Sequence, residues 1–471
     1  MKIKNICCIG AGYVGGPTMA VIALKCPELK ITVVDIDPSK ISRWNSEDLN
    51  SLPVFEPGLA EIISKTRNKN LFFSTEIDKT IEKSEMIFMA VNTPTKKFGE
   101  GKGMAADLTY IESSALQIAN ASKSDKIIIE KSTLPVRTAE KIKEVLDSNN
   151  KHNVKFEILS NPEFLAEGTA INDLFKSDRV LIGGDNTKSG LKAIKLLKSI
   201  YLKWVPEEKI LTTNVWSSEL SKLVSNAILA QRISSINSIS ALCEKSGADI
   251  NEVSLAVGMD SRIGKRFLNS SIGFGGSCFK KDILNLVYIA KHYNLNEVGD
   301  YWQKVLDINI YQTNRFASKI NEVLNSTLSN KTITILGWAF KKDTNDSRES
   351  ASIYLSKELL IEGASIKIYD PMVSSRQIRT DLVNLFNELE YDKNKIDFLL
   401  NNISIMNNPY DACTDSNLVA ICTEWNEFTD IKWNKVFKIM KNPSWIFDGR
   451  NILDEKLLKQ IGFKTYFIGR S

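Results

Sequence analysis

The sequence predicts an α/β protein: two Rossmann-like, doubly wound domains joined by a long central helix and a helical middle domain. Three observations lead there. Short apolar runs alternate with helical patterns over the first part of the chain, the mark of βαβ units and a parallel sheet. A stretch without Pro or Gly from residue 217 to about 245 reads as one long helix. From residue 331 onward, strand-like and helix-like segments alternate again. The expected divisions are 1–212, an N-terminal Rossmann domain; 213–328, a central helical domain; and 329–471, a C-terminal Rossmann-like domain.

The elements follow in order. Residues 4–9 read as a buried strand, 12–24 as a helix and 30–35 as the next strand; 86–91, 126–130 and 156–160 are further apolar runs between turn residues. In the long helix Leu220, Leu223, Val224, Ala227 and Ile228 recur at helical spacing; Ser217 or Ser218 is the expected cap and Gly247 the expected stop. Helical patterns run on to about Leu324. Residues 332–336, 366–370, 419–423 and 446–448 read as strands, while 374–408 is polar, rich in Asn and Asp, and ambiguous.

Composition narrows the function. A 43% hydrophobic and 25% charged chain of 471 residues is ordinary for a globular protein with two or three cores. A net charge of +5 is too mild to suggest nucleic-acid binding, though local Lys and Arg suit an anionic small-molecule substrate. No apolar run is long enough to span a bilayer, and the N-terminus runs straight into a strand, so neither membrane nor signal peptide is expected and the cytosol is the default. The 7 Cys are odd in number and form no C-x-x-C, which argues against a disulfide framework and a zinc site; no metal is expected. Cys7, Cys8 and Cys422 lie in apolar runs and read as inert core thiols. With only 2 His, neither in a motif, proton transfer falls to Lys, Asp, Glu or water.

Gly10, Gly12 and Gly15 follow a strand and open a helix, and Asp35 stands at the next strand's end. That spacing fits a tight turn, close backbone approach to a pyrophosphate, and close helix–strand packing, with the helix N-terminus facing the phosphates. Asp35 accepts from a ribose diol and repels a 2′-phosphate, so NAD is favoured over NADP; a ligand-free glycine turn is the bland alternative. Lys40 lies near the adenosine or is simply solvated.

Cys278 follows Gly273, Gly275 and Gly276, precedes Lys280 and Lys281, and sits where a helix begins, conditions that favour a thiolate. Asp282 lies one turn on. These residues leave a nucleophile and a buried thiol equally open. Lys222 and Asn226 share a helix face and either donate to an oxyanion or form a solvated polar face. Glu163 and Glu167 follow a strand's carboxyl end, as a base and a cofactor contact or as solvated acids at a helix start; Ser132 and Thr133 likewise follow the strand ending at Glu130.

Together these motifs resemble the UDP-glucose 6-dehydrogenase family, among the nucleotide-sugar dehydrogenases. The resemblance is carried by CCIGAGYVGGPT at 7–18, VNTPT at 91–95, EKST at 130–133, SNPEFLAEG at 160–168, WSSELSK at 216–222, GFGGSCF at 273–279, GWAFKKDT at 337–344 and FDGR at 447–450, and is nearest to the animal-type enzymes. It implies oxidation of UDP-glucose to UDP-glucuronate by two hydride removals with NAD, through a thiohemiacetal and thioester on Cys278. It implies that Lys222 assists proton transfer and stabilises the oxyanion with Asn226 beside it. Asp282 would help activate water or the lysine; Glu163 and Thr133 would order water on the base side. Cofactor contacts carry over to Gly10, Gly12, Tyr13, Val14, Gly15, Asp35, Lys40, Val91, Asn92, Thr93, Pro94, Thr95, Ser132, Thr133, Glu167 and Arg348. Substrate contacts carry over to Glu163, Phe164, Leu165, Ala166, Glu167, Lys222, Asn226, the loop of Asn269, Ser270, Ser271, Ile272, Gly273, Phe274 and Gly275, and Phe340, Lys341 and Arg450. Arg262 resembles an arginine that reaches a neighbouring subunit of a homo-oligomer, a dimer unit or a hexamer. The 1–212 segment then becomes the NAD-binding domain, 213–328 carries the cysteine loop, and 329–471 binds the UDP-sugar. Asn269 and Lys40 depart from the family pattern, which places lysine and arginine there. The rival readings are a sibling acting on UDP-N-acetylmannosamine or GDP-mannose, and a non-catalytic NAD-binding regulatory protein.

Overall fold

The structure, a computed structural model, describes residues 2–325 and 327–470. Met1, Ser326 and Ser471, the outer two of which bound the sequence-predicted domains, lie outside the described residues. The chain divides into two compact units: residues up to Ser225 with 284–294, and residues 226–283 with those from Leu295 onward.

The first unit is built on a sheet of eight strands. They are β1 (Asn5–Ile9), β2 (Lys30–Val34), β3 (Leu71–Ser74), β4 (Met86–Met89), β5 (Lys126–Glu130), β6 (Phe156–Ser160), β7 (Val180–Gly183) and β8 (Ile210–Thr213). Their order is β3-β2-β1-β4-β5-β6-β7-β8. Side chains alternate between two cores: Ile6 and Cys8 of β1 enter one, Cys7 and Ile9 the other. Burial on both faces explains why these strands read as continuous apolar runs. The expected all-parallel sheet needs one correction. β6 and β7 meet antiparallel, at Ser160 opposite Gly183, while β7 and β8 are parallel to each other. A short buried run carries no mark of its direction, so sequence pattern could not show this. The strand order reverses between β1 and β4, which opens a crevice at their carboxyl ends.

The second unit holds a six-stranded, wholly parallel sheet. Its strands are β9 (Thr332–Leu336), β10 (Ser365–Tyr369), β11 (Ile403–Ile405), β12 (Leu418–Ile421), β13 (Trp445–Asp448) and β14 (Lys464–Phe467), in the order β11-β10-β9-β12-β13-β14. The ambiguous polar stretch resolves into helices Ser375–Glu388 and Lys393–Leu400. Each is capped by an oxygen of the residue before it, Ser374 and Asp392, and buries a narrow apolar stripe such as Ile378, Leu382 and Phe386.

The Val215–Ser246 helix runs 32 residues, and the division between the units falls within it. Its cap is not Ser217 or Ser218 but Asn214, whose Oδ1 accepts from Ser217 N at 2.8 Å. Ser218 is buried instead, its hydroxyl donating to Ser160 O at 3.4 Å. Gly247 ends the helix in the left-handed region, φ 83°, as expected of a C-terminal glycine. Among the described residues no helix is long and apolar enough to cross a membrane.

Candidate active site

In the first unit the turn from β1 into the Gly15–Lys25 helix separates three glycines by cause. Gly10 has φ 108°, and a Cβ there would lie 2.3 Å from Ala90 O. A Cβ on Gly15 would lie 2.0 Å from Gly10 O. Both are required by the chain itself. Gly12 is different: a Cβ there meets nothing within 4 Å. Its bareness serves no packing within the protein, and it borders the crevice where the strand order reverses, so it suits the close approach of a ligand.

Asp35 follows β2 and faces this turn. Its Oδ2 accepts from Ala11 N at 2.9 Å and Lys40 Nζ at 2.9 Å, and Oδ1 from Asp37 N at 3.0 Å. Burial opposes ionisation, but the lysine and the two backbone donors outweigh it and hold the carboxyl below its usual range. Lys40, one of the two departures from the family pattern, is therefore bound to Asp35 itself. On the far side of the crevice Ser132 Oγ donates to Val91 O at 2.6 Å, and Thr93 Oγ1 to Thr133 O at 3.1 Å. These bonds join the 91–95 and 131–133 segments.

Thr133 Oγ1 donates to Glu163 Oε1 at 3.0 Å, and Lys222 Nζ lies 3.9 Å from the same oxygen. All three residues are buried, and among the described residues Glu163 Oε2 is buried with no hydrogen-bond partner, which leaves an acceptor open. Phe164 packs beneath, 5.4 Å from Lys222 Nζ and 3.8 Å from the Arg179 guanidinium. Leu165, Ala166 and Glu167 continue the loop, whose end is fixed by Glu56: its carboxylate accepts from Gly168 N at 2.8 Å and Ala170 N at 3.0 Å. Sequence reading missed Glu56, which lies 112 residues from Gly168. It also gave no role to Lys131, although EKST contains it. Lys131 is buried, and its Nζ donates to Asn161 Oδ1 at 3.3 Å, an oxygen that also accepts from Tyr201 at 2.6 Å. Burial pushes its pKa down to about 8, Glu163 pulling it up and Lys222 adding to the fall.

In the second unit Cys278 immediately precedes the Phe279–His292 helix, and its carbonyl accepts from Asp282 N at 2.9 Å. It is the one exposed cysteine; the other six are buried. Burial pushes Cys8 and Cys422 up to about 12, and Cys7 well up, so those thiols are inert. The buried-thiol alternative for Cys278 is thus removed, and the helix N-terminus favours its thiolate. Asp282 is buried, and its Oδ2 accepts from Asn226 Nδ2 at 2.6 Å, which fixes the amide.

The glycines before Cys278 approach the protein's own atoms, not open space. A Cβ on Gly275 would lie 2.5 Å from Glu349 O, and on Gly276 2.9 Å from the Phe340 ring. The loop is tied throughout. Ser271 N donates to Asn237 Oδ1 at 2.8 Å, Ile272 N to Gly449 O at 2.8 Å and Phe274 N to Asn309 Oδ1 at 2.8 Å. Ile272 is a core side chain; Ser270 accepts from Asn451 at 3.0 Å, and Asn269 is exposed. Arg450 is pinned by Cys422 O at 2.7 Å and Phe340 O at 2.9 Å. Lys341 lies 5.7 Å from the Phe340 ring, Arg348 is forked onto Asp346 at 2.8 and 2.7 Å, and Arg262 is exposed and forked onto Asp260.

A reversed strand order, a bare glycine beneath the crevice and an aspartate at the second strand's end define the first unit as the dinucleotide-binding part of an oxidoreductase. Models of one family match three successive segments of the chain. They are the NAD-binding domain over residues 4–205, the central domain over 216–311 and the UDP-binding domain over 334–455. The chain belongs to the UDP-glucose/GDP-mannose dehydrogenase family and is an NAD-dependent dehydrogenase. It is 55% identical over 471 residues to the UDP-glucose 6-dehydrogenase of Bos taurus, covering 100% of this chain and 94% of that one. It is 55% identical over 466 residues to that of Drosophila melanogaster, covering 99% and 96%. Among solved structures, a UDP-glucose dehydrogenase from Pyrobaculum islandicum superposes with a TM-score of 0.80 at 26% identity, over 98% of both chains. A UDP-D-ManNAc dehydrogenase from Pyrococcus horikoshii reaches 0.80 at 24%, over 99% of both, and shares the fold.

Proposed function

We propose that the chain oxidises the 6-hydroxymethyl group of UDP-glucose to the carboxylate of UDP-glucuronate, four electrons in all, with the intermediate aldehyde held on Cys278. NAD, when bound, accepts one hydride in each of two oxidations. In the first, C6 loses a hydride and its hydroxyl a proton; Glu163, with one oxygen held by Thr133 and the other bare, suits the base side. Lys222 and Asn226, one helical turn apart, supply donors to the developing oxyanion. The Cys278 thiolate adds to the aldehyde carbon, giving a thiohemiacetal whose C6 again carries a hydrogen that can leave as hydride. Loss of that hydride leaves a thioester. Water then attacks it, with Asp282 as the activating carboxylate; the acid is released and the thiol restored. The substrate choice rests on the identity to UDP-glucose 6-dehydrogenases over the whole chain. The single observation that carries the covalent route is the exposed Cys278 at a helix N-terminus, where six other thiols are buried.

The division at 212 and 328, the contact residues carried over from the family, and a homo-oligomer in which Arg262 reaches a neighbouring subunit belong to the same reading. So does a cytosolic setting. The test is a count of NADH formed per UDP-glucose consumed. The expected ratio is about two, where an alcohol oxidation alone gives about one. Cys278→Ala should lower UDP-glucuronate formation at least about 10³-fold with the NAD dissociation constant unchanged. A variant that still makes the acid at the parent rate sinks the covalent route.

A further inference from the structure

Two buried carboxyl groups of the first unit, Glu130 and Glu219, interact with each other. Glu130 ends β5, immediately before Lys131, Ser132 and Thr133, and is 1% exposed. Among the described residues neither of its oxygens accepts a hydrogen bond from an N–H or hydroxyl donor. Glu219, on the first turns of the Val215–Ser246 helix, is 3% exposed and is the group that acts on Glu130. Glu219 is well supplied: Oε2 accepts from Arg137 N at 2.6 Å and Oε1 from Ala139 N at 2.8 Å. Those amides open the Thr138–Ser148 helix, and Arg137 is held in the left-handed region at φ 75°, where a side chain is disfavoured.

Ionised, Glu130 would be a buried charge with no donor, beside a second buried charge of the same sign. Protonated, it has one hydroxyl to give, and Glu219 is placed to take it. We propose that Glu130 and Glu219 form a proton-sharing acid–carboxylate clamp, Glu130 the acid and Glu219 the acceptor, which positions the 131–139 segment that carries Ser132 and Thr133. The clamp's two ends are the end of β5 and the start of the Thr138–Ser148 helix, so the segment between them is fixed at both. Its effect on cofactor affinity rests on the proposed role of Ser132 and Thr133; the shared proton does not.

The neighbouring charges are committed elsewhere. Lys131 Nζ donates to Asn161, Lys222 Nζ lies by Glu163, and Lys126, at the far end of β5, donates to Glu82 O and Ser84 O. The Arg137 guanidinium lies 4.8 Å from the Trp216 ring and pairs with Glu140. Burial and the partner carboxylate raise the Glu130 pKa well above its ordinary range. A raised folded-state pKa gives stability that is complete below the unfolded value and is lost as pH rises through the folded one.

Glu130→Gln keeps a donor to Glu219 at every pH and removes the titration. Its melting temperature should therefore gain on the parent's steadily as pH rises above the ordinary carboxyl range. The infrared C=O band of a protonated carboxyl should persist in the parent at about pH 7 and be absent from Glu130→Gln. Glu130→Ala should weaken NAD binding about tenfold, with Glu130→Gln restoring it to within about twofold. A missing band, or a melting-temperature difference that stays flat with pH, overturns the shared proton whether or not the cofactor site is where we place it. A band present with unaltered NAD affinity in Glu130→Ala overturns the positioning. If Glu130→Ala does not fold, the comparison of parent with Glu130→Gln decides alone. Failure of the parent to bind NAD would instead strike the proposed function.

Discussion

At the scale of single residues, the spacing of Gly10, Gly12 and Gly15 already reads as a tight turn, a close approach and a packing contact; the atoms behind each task were not legible. Gly10 and Gly15 are demanded by the protein's own backbone, through Ala90 O and Gly10 O, and of the three only Gly12 borders open space. Gly12→Ala should melt with the parent, since its Cβ meets nothing, and should bind NAD about tenfold more weakly, because the methyl occupies the approach of the pyrophosphate. Gly15→Ala should lose about 1–3 kcal/mol of stability, because its Cβ overlaps a carbonyl that cannot retreat. Thermal melting with calorimetric titration of NAD separates the two; a Gly12→Ala protein with parental affinity removes Gly12 from the cofactor site. Cys278 makes the same point. Its neighbours Gly275 and Gly276 make room for Phe340 and the backbone of Glu349. What distinguishes the thiol is exposure and a helix N-terminus, and of these only the helix start could be read from sequence. Glu56, Lys131 and Asn161 were out of reach because their meaning lies in partners far along the chain.

At the scale of elements, apolar periodicity carried most of the reading. The strand runs β1, β5, β6 and β9 and the 32-residue helix were legible, since burial on both faces and a long absence of Gly and Pro leave strong marks. Short strands such as β3, β7 and β8, each 4 residues, were not. A short apolar run fits a strand or a piece of helix equally, so periodicity alone does not assign it. The cap of the long helix failed for a different reason. Asn214, Ser217 and Ser218 are all good capping residues, and the choice depends on which of them faces the first free N–H groups. Ser218 is spent on packing against Ser160, and a Cβ on Gly183 would lie 2.4 Å from its own Cβ, so that turn has no freedom to shift. Asn214→Ala should therefore cost about 1 kcal/mol in urea unfolding, and Ser217→Ala much less. Equal losses would mean that the capping oxygen is not the one at Asn214.

At the scale of the whole molecule, the two sheets are wound alike. Reading from β3 to β6 in the first and from β11 to β14 in the second gives the same order about a central pair, and each carries an aspartate just past its second strand, Asp35 and Asp370. The resemblance stops at those carboxylates. Asp35 accepts three donors, one of them a partly buried lysine and only one of them on Oδ1, which leaves that oxygen a lone pair for a further donor. Asp370 accepts five: Trp338 N, Ala339 N and Trp425 Nε1 on Oδ2, and Met372 N and Val373 N on Oδ1. Its capacity is spent inside the protein. A Cβ on Gly337, the counterpart of Gly10, would lie 2.4 Å from Thr423, and Trp338 fills the position that Ala11 holds in the first turn. One winding thus yields a turn with room for a dinucleotide and a turn closed by tryptophans. Amide hydrogen exchange should show this directly. NAD alone should slow exchange at residues 12–15 and leave 337–339 unchanged, and at about 100 times its dissociation constant it should add about 2.7 kcal/mol to the stability of the state that binds it. UDP alone should slow exchange in the second unit, within 334–455, and leave 12–15 unchanged. Protection of 337–339 by NAD would show that Asp370 yields to a ribose despite its five donors, and the functional distinction drawn here between two like-wound sheets would fail.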